Sequence, residues 1–219
     1  MSQFTDSWNI FKHLTFRRAW NLVLLKLSYW FSRLTRKANT WGKPFSLSIE
    51  PTTACNLGCP ECPSGLKQFT RPTGKLNLDL HEKILSQVSS SVFYINYYFQ
   101  GEPFLHPQFL DLIRQAKKHK IYTATSTNAH FIDQKKAEEI IDSGLDRLII
   151  SIDGLTQETY ENYRVHGNLA KVIEASKLLI AAKKAKASPT PHLIFQFLAV
   201  KPNEHEIPAI FTLGNEMGI

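Results

Sequence analysis

The sequence predicts an α/β fold that is built on a parallel sheet and preceded by a helical arm. From residue 45 onward, short runs rich in β-branched and aromatic residues alternate with stretches whose apolar residues recur at helical spacing. Strands that alternate with helices in this way are typical of right-handed βαβ units. The chain has 219 residues, of which 43% are hydrophobic. This composition excludes a disordered chain and is sufficient for a large core.

The predicted elements follow one another regularly. The five strands cover residues 45–50, 92–99, 121–127, 147–153 and 192–200. The helices of this part of the chain cover residues 79–88, 107–120, 133–143, 156–163, 169–186 and 204–217. We expect Asp79 to cap the first of these helices. Because no strand follows the last helix, we expect a partial (β/α)6-type, TIM-like barrel whose core domain, residues 45–219, is truncated.

Residues 1–44 form the predicted arm and carry the whole net charge of the protein. Eight Lys and Arg residues lie there beside one acidic residue, Asp6, and the remainder of the chain is balanced, so that the overall charge is +7. A neutral body without a basic groove argues against nucleic acid as a partner. The arm also has apolar residues at helical spacing, which predict a basic amphipathic helix: Trp20, Val23, Leu24, Leu27, Phe31 and Leu34. Such a helix either contacts an anionic membrane surface or a partner, or packs on its own domain.

The cysteines indicate the compartment. Cys55, Cys59 and Cys62 fall within eight residues, where disulfides would close very small loops and leave one thiol over. We therefore expect a reducing, cytoplasmic location, with peripheral membrane contact through residues 1–44 as an addition. The longest apolar stretch, residues 20–31, is too short to span a membrane and precedes no cleavage site.

Three thiolates on one short loop can hold three corners of a metal site or cluster. A structural zinc ion normally has four protein ligands, and His81 and His106 are single candidates for the fourth that have no supporting partner. An iron-sulfur cluster held by three cysteines would instead keep one iron free for a substrate or cosubstrate. The spacing favours the cluster, and a zinc-stabilised binding module is the alternative.

Several motifs in the expected order resemble those of the radical S-adenosylmethionine (SAM) enzymes. The cysteines have the CxxxCxxC spacing of that family, and the segment from Gln100 to Pro103 is similar to its GGEP motif, with Gln in place of the first Gly. The segment from Ser151 to Gly154 reads SIDG, and Arg164 follows the serine by thirteen residues. These last motifs resemble the subgroup with sulfatase-maturing and peptide-modifying enzymes. The resemblance covers residues 45–219.

The resemblance implies a mechanism and partners. Cys55, Cys59 and Cys62 would bind a [4Fe-4S] cluster, and an electron from a flavodoxin- or ferredoxin-like donor would pass through it to SAM. The resulting 5′-deoxyadenosyl radical would abstract a hydrogen atom from an unidentified substrate, with a peptide or protein as the leading class. A SPASM-type domain with further cysteines would follow Ile219. A membrane-peripheral adaptor without catalysis is the other alternative, and it leaves the SAM-like motifs unexplained.

The resemblance also implies roles for six residues in binding SAM. Gly101 would allow close backbone approach, and Glu102 would accept a hydrogen bond from the amino group of SAM. Ser151 and Asp153 would bond the ribose hydroxyls, and Arg164 would neutralise the carboxylate. Leu198 would contact the adenine, with Phe197 as its competitor.

Each of these residues also has a structural alternative. Glu102 can cap the helix that follows it, Ser151 and Asp153 can be turn formers, and Arg164 can be a surface charge. The segment 127–128 either lines the site or forms a turn. One departure from the family is Glu61, where many members have an aromatic residue before the third cysteine, and this weakens the prediction of side-chain stacking on adenine there.

Overall fold

The computed structural model describes residues 3–219, so that residues 1 and 2 of the predicted arm lie outside the described residues. Its centre is one parallel sheet in which the strands lie in chain order, each beside the next. The strands are β1 (Ser46–Ser48), β2 (Tyr94–Asn96), β3 (Tyr122–Thr127), β4 (Arg147–Ser151) and β5 (His192–Gln196). The predicted α/β class with a parallel sheet is confirmed.

Helices cover the sheet at the predicted places. After β1 they are α3 (Leu78–Val88), α4 (Phe109–Lys118), α5 (Gln134–Asp142), α6 (Gln157–Tyr163), α7 (Leu169–Ala185) and α8 (Ile207–Met217), preceded in the chain by α1 (Gln3–Phe11) and α2 (Phe16–Thr35). The prediction that Asp79 caps α3 was wrong. The cap is Asn77, whose side-chain oxygen accepts from the amides of Asp79 and Leu80. Asp79 lies in the first turn, where its charge suits the positive helix end.

All five predicted strands are longer than the observed ones, and the second and fifth differ most. The aromatic run 92–99 pairs only over Tyr94–Asn96, because Tyr98 and Phe99 leave the sheet to line a cavity at its edge. The run 192–200 pairs only as far as Gln196. Beyond it, the amide of Leu198 donates to the carboxylate of Asp153 at 2.6 Å. Both extensions contribute to the end of the sheet that carries the site.

The core lies between the sheet and its helices. Ile95, Leu148 and Ile150 of the strands have no exposed surface, and neither do Leu112 and Ile113 of α4. β3 also buries polar side chains, since Thr123 and Thr125 have no exposed surface and bond Asp146 and the carbonyl of Tyr97. This packing holds the carboxyl ends of the strands in fixed positions.

The arm consists of two helices where one was predicted, with Thr15 as the N-cap of α2. It attaches to the sheet at the amino ends of the strands. Asp6 of α1 is buried, accepts a hydrogen bond from the Tyr122 hydroxyl at 2.5 Å and forms an ion pair with Arg147. Among the described residues, no helix combines the length and apolar character needed to cross a membrane.

Arg18 is the main attachment of α2 to the body. Its side chain is buried and donates to the carbonyl oxygens of Ser89, His119 and Lys120 at 2.6–3.1 Å, and to that of His13. Ser89 and His119 are the C-caps of α3 and α4. One guanidinium group therefore satisfies the free carbonyls at the negative ends of two helices.

Replacement of this side chain tests the attachment. Arg18→Ala is expected to lower the free energy of unfolding by about 2–4 kcal/mol, because it leaves several buried carbonyls without donors. Urea denaturation followed by circular dichroism measures the change. The control is Arg17→Ala on the same helix, where the side chain is exposed and a change within about 0.5 kcal/mol is expected. Equal effects of the two substitutions would contradict the assigned role of Arg18.

Candidate functional site

A cavity of about 210 Å³ lies at the carboxyl ends of the strands, beside the cysteine loop. In barrels of this kind the chemistry is located at that end. Seven of the nine predicted site residues line it: Cys55, Cys59, Cys62, Gly101, Glu102, Ser151 and Arg164. The other two do not line it: Asp153 bonds the wall residue Arg164, and Leu198 bonds Asp153.

The cysteine loop is fixed by backbone contacts on both sides. The amide of Gly58 donates to the carbonyl of Val165 at 2.9 Å, and the amide of Glu102 donates to the carbonyl of Ala54 at 2.7 Å. Gly65 approaches the loop so closely that a Cβ atom there would lie 2.6 Å from the backbone nitrogen of Cys59. The three thiols are therefore presented by a loop that is held in place by its neighbours.

Each thiol has a polar partner of its own. The Cys62 thiol donates to the Gln100 side-chain oxygen at 3.4 Å, and Asn128 Nδ2 lies 4.0 Å from Cys55 Sγ. Arg164 Nη1 lies 3.8 Å from Cys59 Sγ. Hydrogen-bond donors around coordinating sulfur atoms adjust the properties of a metal cluster.

Burial raises the pKa of the Cys55 and Cys59 thiols above the ordinary value for cysteine. For Cys59 the nearby charge of Arg164 opposes this effect, because it favours the thiolate. The wall of the cavity thus contains a cation that stabilises the form of Cys59 able to bind a metal.

Gly101 and Glu102 join the second strand to the cysteine loop. Gly101 has φ +81°, and a Cβ atom there would lie 2.3 Å from the carbonyl oxygen of Thr52, so both the conformation and the space require glycine. The buried carboxylate of Glu102 accepts hydrogen bonds from Thr127 Oγ1 at 2.7 Å and from the amides of Asn128 and Phe104. Burial raises its pKa to about 7, against the effect of these three donors.

Glu102 therefore has the structural role considered as its alternative, that of a cap for the helical segment that follows it. It caps the short 3₁₀ turn Pro103–Leu105 and also ties β3 to the loop. Contact of its carboxylate with the amino group of SAM stays a prediction, because the described contacts occupy both carboxylate oxygens. The segment 127–128 likewise has both roles considered for it, since it lines the cavity and its side-chain oxygens accept from the amides of Ala129 and His130 in a turn.

Asp153 and Arg164 form a buried ion pair. Arg164 Nε donates to Asp153 Oδ2 at 2.5 Å, and Leu198 donates its amide to Asp153 Oδ1. The side chain of Asp153 is 1% exposed and that of Arg164 is 20% exposed. Burial alone would lower the pKa of Arg164, but the charge of Asp153 raises it. Arg164 is thus a wall residue held by Asp153, and the alternative of a solvated surface charge is wrong.

Of the three residues predicted to contact the ribose and adenine of SAM, only Ser151 lines the cavity. Ser151 lines the cavity, with its hydroxyl 3.5 Å from that of Ser126. Asp153 has no exposed surface. Leu198 is 43% exposed but lies outside the lining, and Phe197 packs against the core. A direct contact of Asp153 or Leu198 with SAM stays a prediction.

The sequence did not identify seven residues of the lining: Leu57, Gly65, Tyr98, Phe99, Ser126, Tyr163 and Gln196. Ser126 and Gln196 lie near strand ends and could have been found from the rule that barrel sites use these positions. Tyr163 lies beside Arg164 on α6, and no motif marked it. Gln100 was noted only as a departure from the family motif, yet it contacts both Cys62 and Ser64.

The single histidines considered as zinc ligands are engaged elsewhere. His81 bonds Gln115 and Tyr97 through its two ring nitrogens, and His106 bonds the carbonyl of Leu76 and the amide of Gln108. Within residues 3–219, no three Cys, His, Asp or Glu side chains are grouped closely enough to hold one metal ion. A four-iron cluster does not need three side chains around one metal ion, because each cysteine binds a different iron. The donor set therefore fits the cluster better than zinc.

The chain belongs to the Radical SAM superfamily, whose family model matches residues 49–206. Enzymes of this superfamily use a [4Fe-4S] cluster and SAM. PqqA peptide cyclase of Gluconobacter oxydans is 29% identical over 80% of this chain and 47% of its own length. The AdoMet-dependent heme synthase of Methanosarcina barkeri is 27% identical over 80% of this chain and 48% of its own length. The chain thus spans about half the length of these curated relatives.

A solved structure confirms the architecture. The crystal structure of Streptococcus suis SuiB bound to S-adenosylmethionine matches with a TM-score of 0.66 at 20% identity, over 80% of this chain and 39% of that chain. At this identity the likeness concerns the fold, and it confirms the predicted partial (β/α) barrel.

The buried ion pair of the site yields a stability prediction. Asp153→Ala is expected to lower the free energy of unfolding by about 3 kcal/mol, because Arg164 is left without its charge partner and the Leu198 amide without its acceptor. Chemical denaturation of the cluster-free protein measures this change.

The matched control for this substitution is Asp142→Ala. Asp142 pairs with Lys186, but its side chain is 57% exposed, so that a change within about 0.5 kcal/mol is expected. If Asp153→Ala has no larger effect than this control, the ion pair is not the constraint that holds Arg164.

Proposed function

We propose that this chain is the core of a radical SAM enzyme that cleaves SAM reductively and abstracts a hydrogen atom from a peptide or protein. One observation carries the proposal. A fixed loop presents three cysteines to a cavity at the carboxyl ends of the strands, and Gly101, Ser151 and Arg164 line that cavity. The peptide class is supported by the similarity to PqqA peptide cyclase and by the SIDG segment with Arg164.

Cys55, Cys59 and Cys62 would hold the cluster. When bound, the cluster supplies an electron to SAM and so generates the 5′-deoxyadenosyl radical. The residues of the chain bind and orient the reactants. Arg164 is fixed by Asp153 and lies beside Cys59. Its positive charge would pair with the carboxylate of SAM. The hydroxyl of Ser151 is available for the ribose.

The aromatic residues of the wall would exclude water from the reacting atoms. Tyr98, Phe99 and Tyr163 line the cavity, and a dry pocket limits side reactions of a reactive intermediate. Their rings would also stack on adenine. They would thereby replace the aromatic residue that many family members have at the position of Glu61. Leu198 stays the predicted aliphatic contact for adenine.

The partners follow from the chemistry. The reaction needs a low-potential reductant, and a flavodoxin- or ferredoxin-like carrier fits this requirement. We place the enzyme in the cytoplasm, with its arm, residues 1–44, in peripheral contact with a membrane. A SPASM-type auxiliary domain, predicted from the sequence motifs, would add further clusters to the same reaction. We propose that the arm and the core, residues 45–219, are two functional parts of the protein.

Anaerobic reconstitution with iron and sulfide tests the proposal. The 219-residue chain is expected to bind about four iron atoms and to develop the brown colour of a cluster. It is then expected to release 5′-deoxyadenosine from SAM after chemical reduction. Cys59→Ala should abolish all three signals, because the cluster loses one of its ligands.

The control is Glu61→Ala, an exposed position of the same loop, which should retain all three signals. A colourless protein that binds zinc and releases no 5′-deoxyadenosine would support the zinc-stabilised module instead. Peptides encoded beside the gene are the first substrates to add, with incorporation of deuterium from labelled peptide into 5′-deoxyadenosine as the readout.

A further inference from the structure

Helix α2 buries polar side chains and leaves its largest apolar side chains exposed, with only Leu22, Leu24 and Leu25 partly buried among its apolar residues. Its exposed face carries large apolar residues spaced by three or four positions, which we call the outer stripe: Phe16, Trp20, Val23, Leu27, Trp30, Phe31 and Leu34. These residues are between 42% and 88% exposed. The buried residues of the same helix are Arg18, Asn21 and Ser28. A surface helix of a globular protein normally has the opposite arrangement.

Specific contacts on the inner face fix this orientation. The side chain of Asn21 bonds both the amide and the carbonyl of Lys43 at 2.8 Å, and the Ser32 hydroxyl bonds the backbone of Asn39. A Cβ atom on Gly42 would lie 2.6 Å from Leu25 Cγ, which shows how closely the returning chain packs. The helix cannot turn its apolar side inward without breaking these contacts and those of Arg18.

Basic residues flank the outer stripe. The Lys26 and Arg33 side chains lie over the Trp30 ring at 5.5 and 5.4 Å, and Arg17 lies on the other side of the stripe. The only acidic residue of the arm, Asp6, is buried and paired with Arg147. The exposed surface of α2 is therefore apolar in the middle and positive at its edges.

We propose that the outer stripe is a docking surface for an anionic lipid bilayer, in which α2 lies parallel to the membrane with these side chains in the headgroup region. Tryptophan and leucine flanked by Lys and Arg are typical of interfacial helices. A second copy of the chain fits less well, because stripe-to-stripe contact would bring Arg17, Lys26 and Arg33 of the two chains together. This inference rests on the peripheral membrane contact proposed above, for which it names the surface and the lipid charge, and it is independent of the proposed chemistry of the core.

The protein contains a natural probe for the test. All four tryptophans, Trp8, Trp20, Trp30 and Trp41, lie in the arm, so that tryptophan fluorescence, excited at a wavelength where tyrosine does not absorb, reports on this part alone. The complete chain is mixed with vesicles of phosphatidylcholine, or of phosphatidylcholine with phosphatidylserine. We expect co-sedimentation and a blue shift of emission with the anionic vesicles only, and release of the protein by salt.

Two double variants separate the apolar and the electrostatic parts. Leu27→Glu with Trp30→Glu is expected to abolish binding, and Lys26→Ala with Arg33→Ala to weaken it roughly tenfold or more. The matched control is Leu80→Glu, at a 53% exposed position of α3, which should bind like the wild type. All variants should retain the cluster and the release of 5′-deoxyadenosine.

Three results would overturn the proposal. These are equal affinity for neutral and anionic vesicles, binding to neither, and wild-type binding by the Leu27→Glu, Trp30→Glu variant. Sedimentation velocity identifies the main competitor, since a dimer that this variant dissociates, without vesicle binding by the wild type, would assign the stripe to a second copy. Loss of the cluster with retained vesicle binding would count against the proposed function alone.

Discussion

The geometry of the site depends on the hydrogen bonds of one buried residue, Glu102. Through its backbone amide the residue holds the cysteine loop, and through its side chain it holds the end of β3 and the turn after β2. Three segments far apart in sequence thereby meet at one residue. Gly101 makes this meeting possible, because any side chain there would collide with the loop. The cavity exists because these segments are joined at its base.

The sequence was sufficient to predict the order and type of the elements. Apolar runs and helical spacing are local signals, and they located all five strands and the helices of the core. The ends of these elements depend on distant contacts, which local signals do not contain. The amide of Leu198, for example, donates to the side chain of Asp153 and not to a neighbouring strand. The same limit applies to Arg18, whose partners lie about 70 and 100 positions further along the chain.

The site could be predicted where a motif specifies chemistry and not where a residue acts through another. The cysteine spacing, Gly101, Ser151 and Arg164 all led to the wall of one cavity. Asp153 belongs to the same motif as Ser151, but in the structure its carboxylate holds Arg164 and the backbone of Leu198. Gln100 looked like a defect of the motif, whereas its amide contacts Cys62. Such contacts depend on how far apart two loops lie in the folded chain, and this distance cannot be inferred from the sequence.

The attachment of the arm at the amino ends of the strands separates two sets of residues that can change independently. Along β4, Arg147 contacts the arm and Ser151 lines the cavity. Four residue steps along the strand place their Cα atoms about 13 Å apart. Substitutions at that distance with no shared partner are usually additive. Residues of the arm can therefore vary among homologues with little epistasis toward the residues that line the cavity. The surface of the arm and the lining of the cavity can evolve separately.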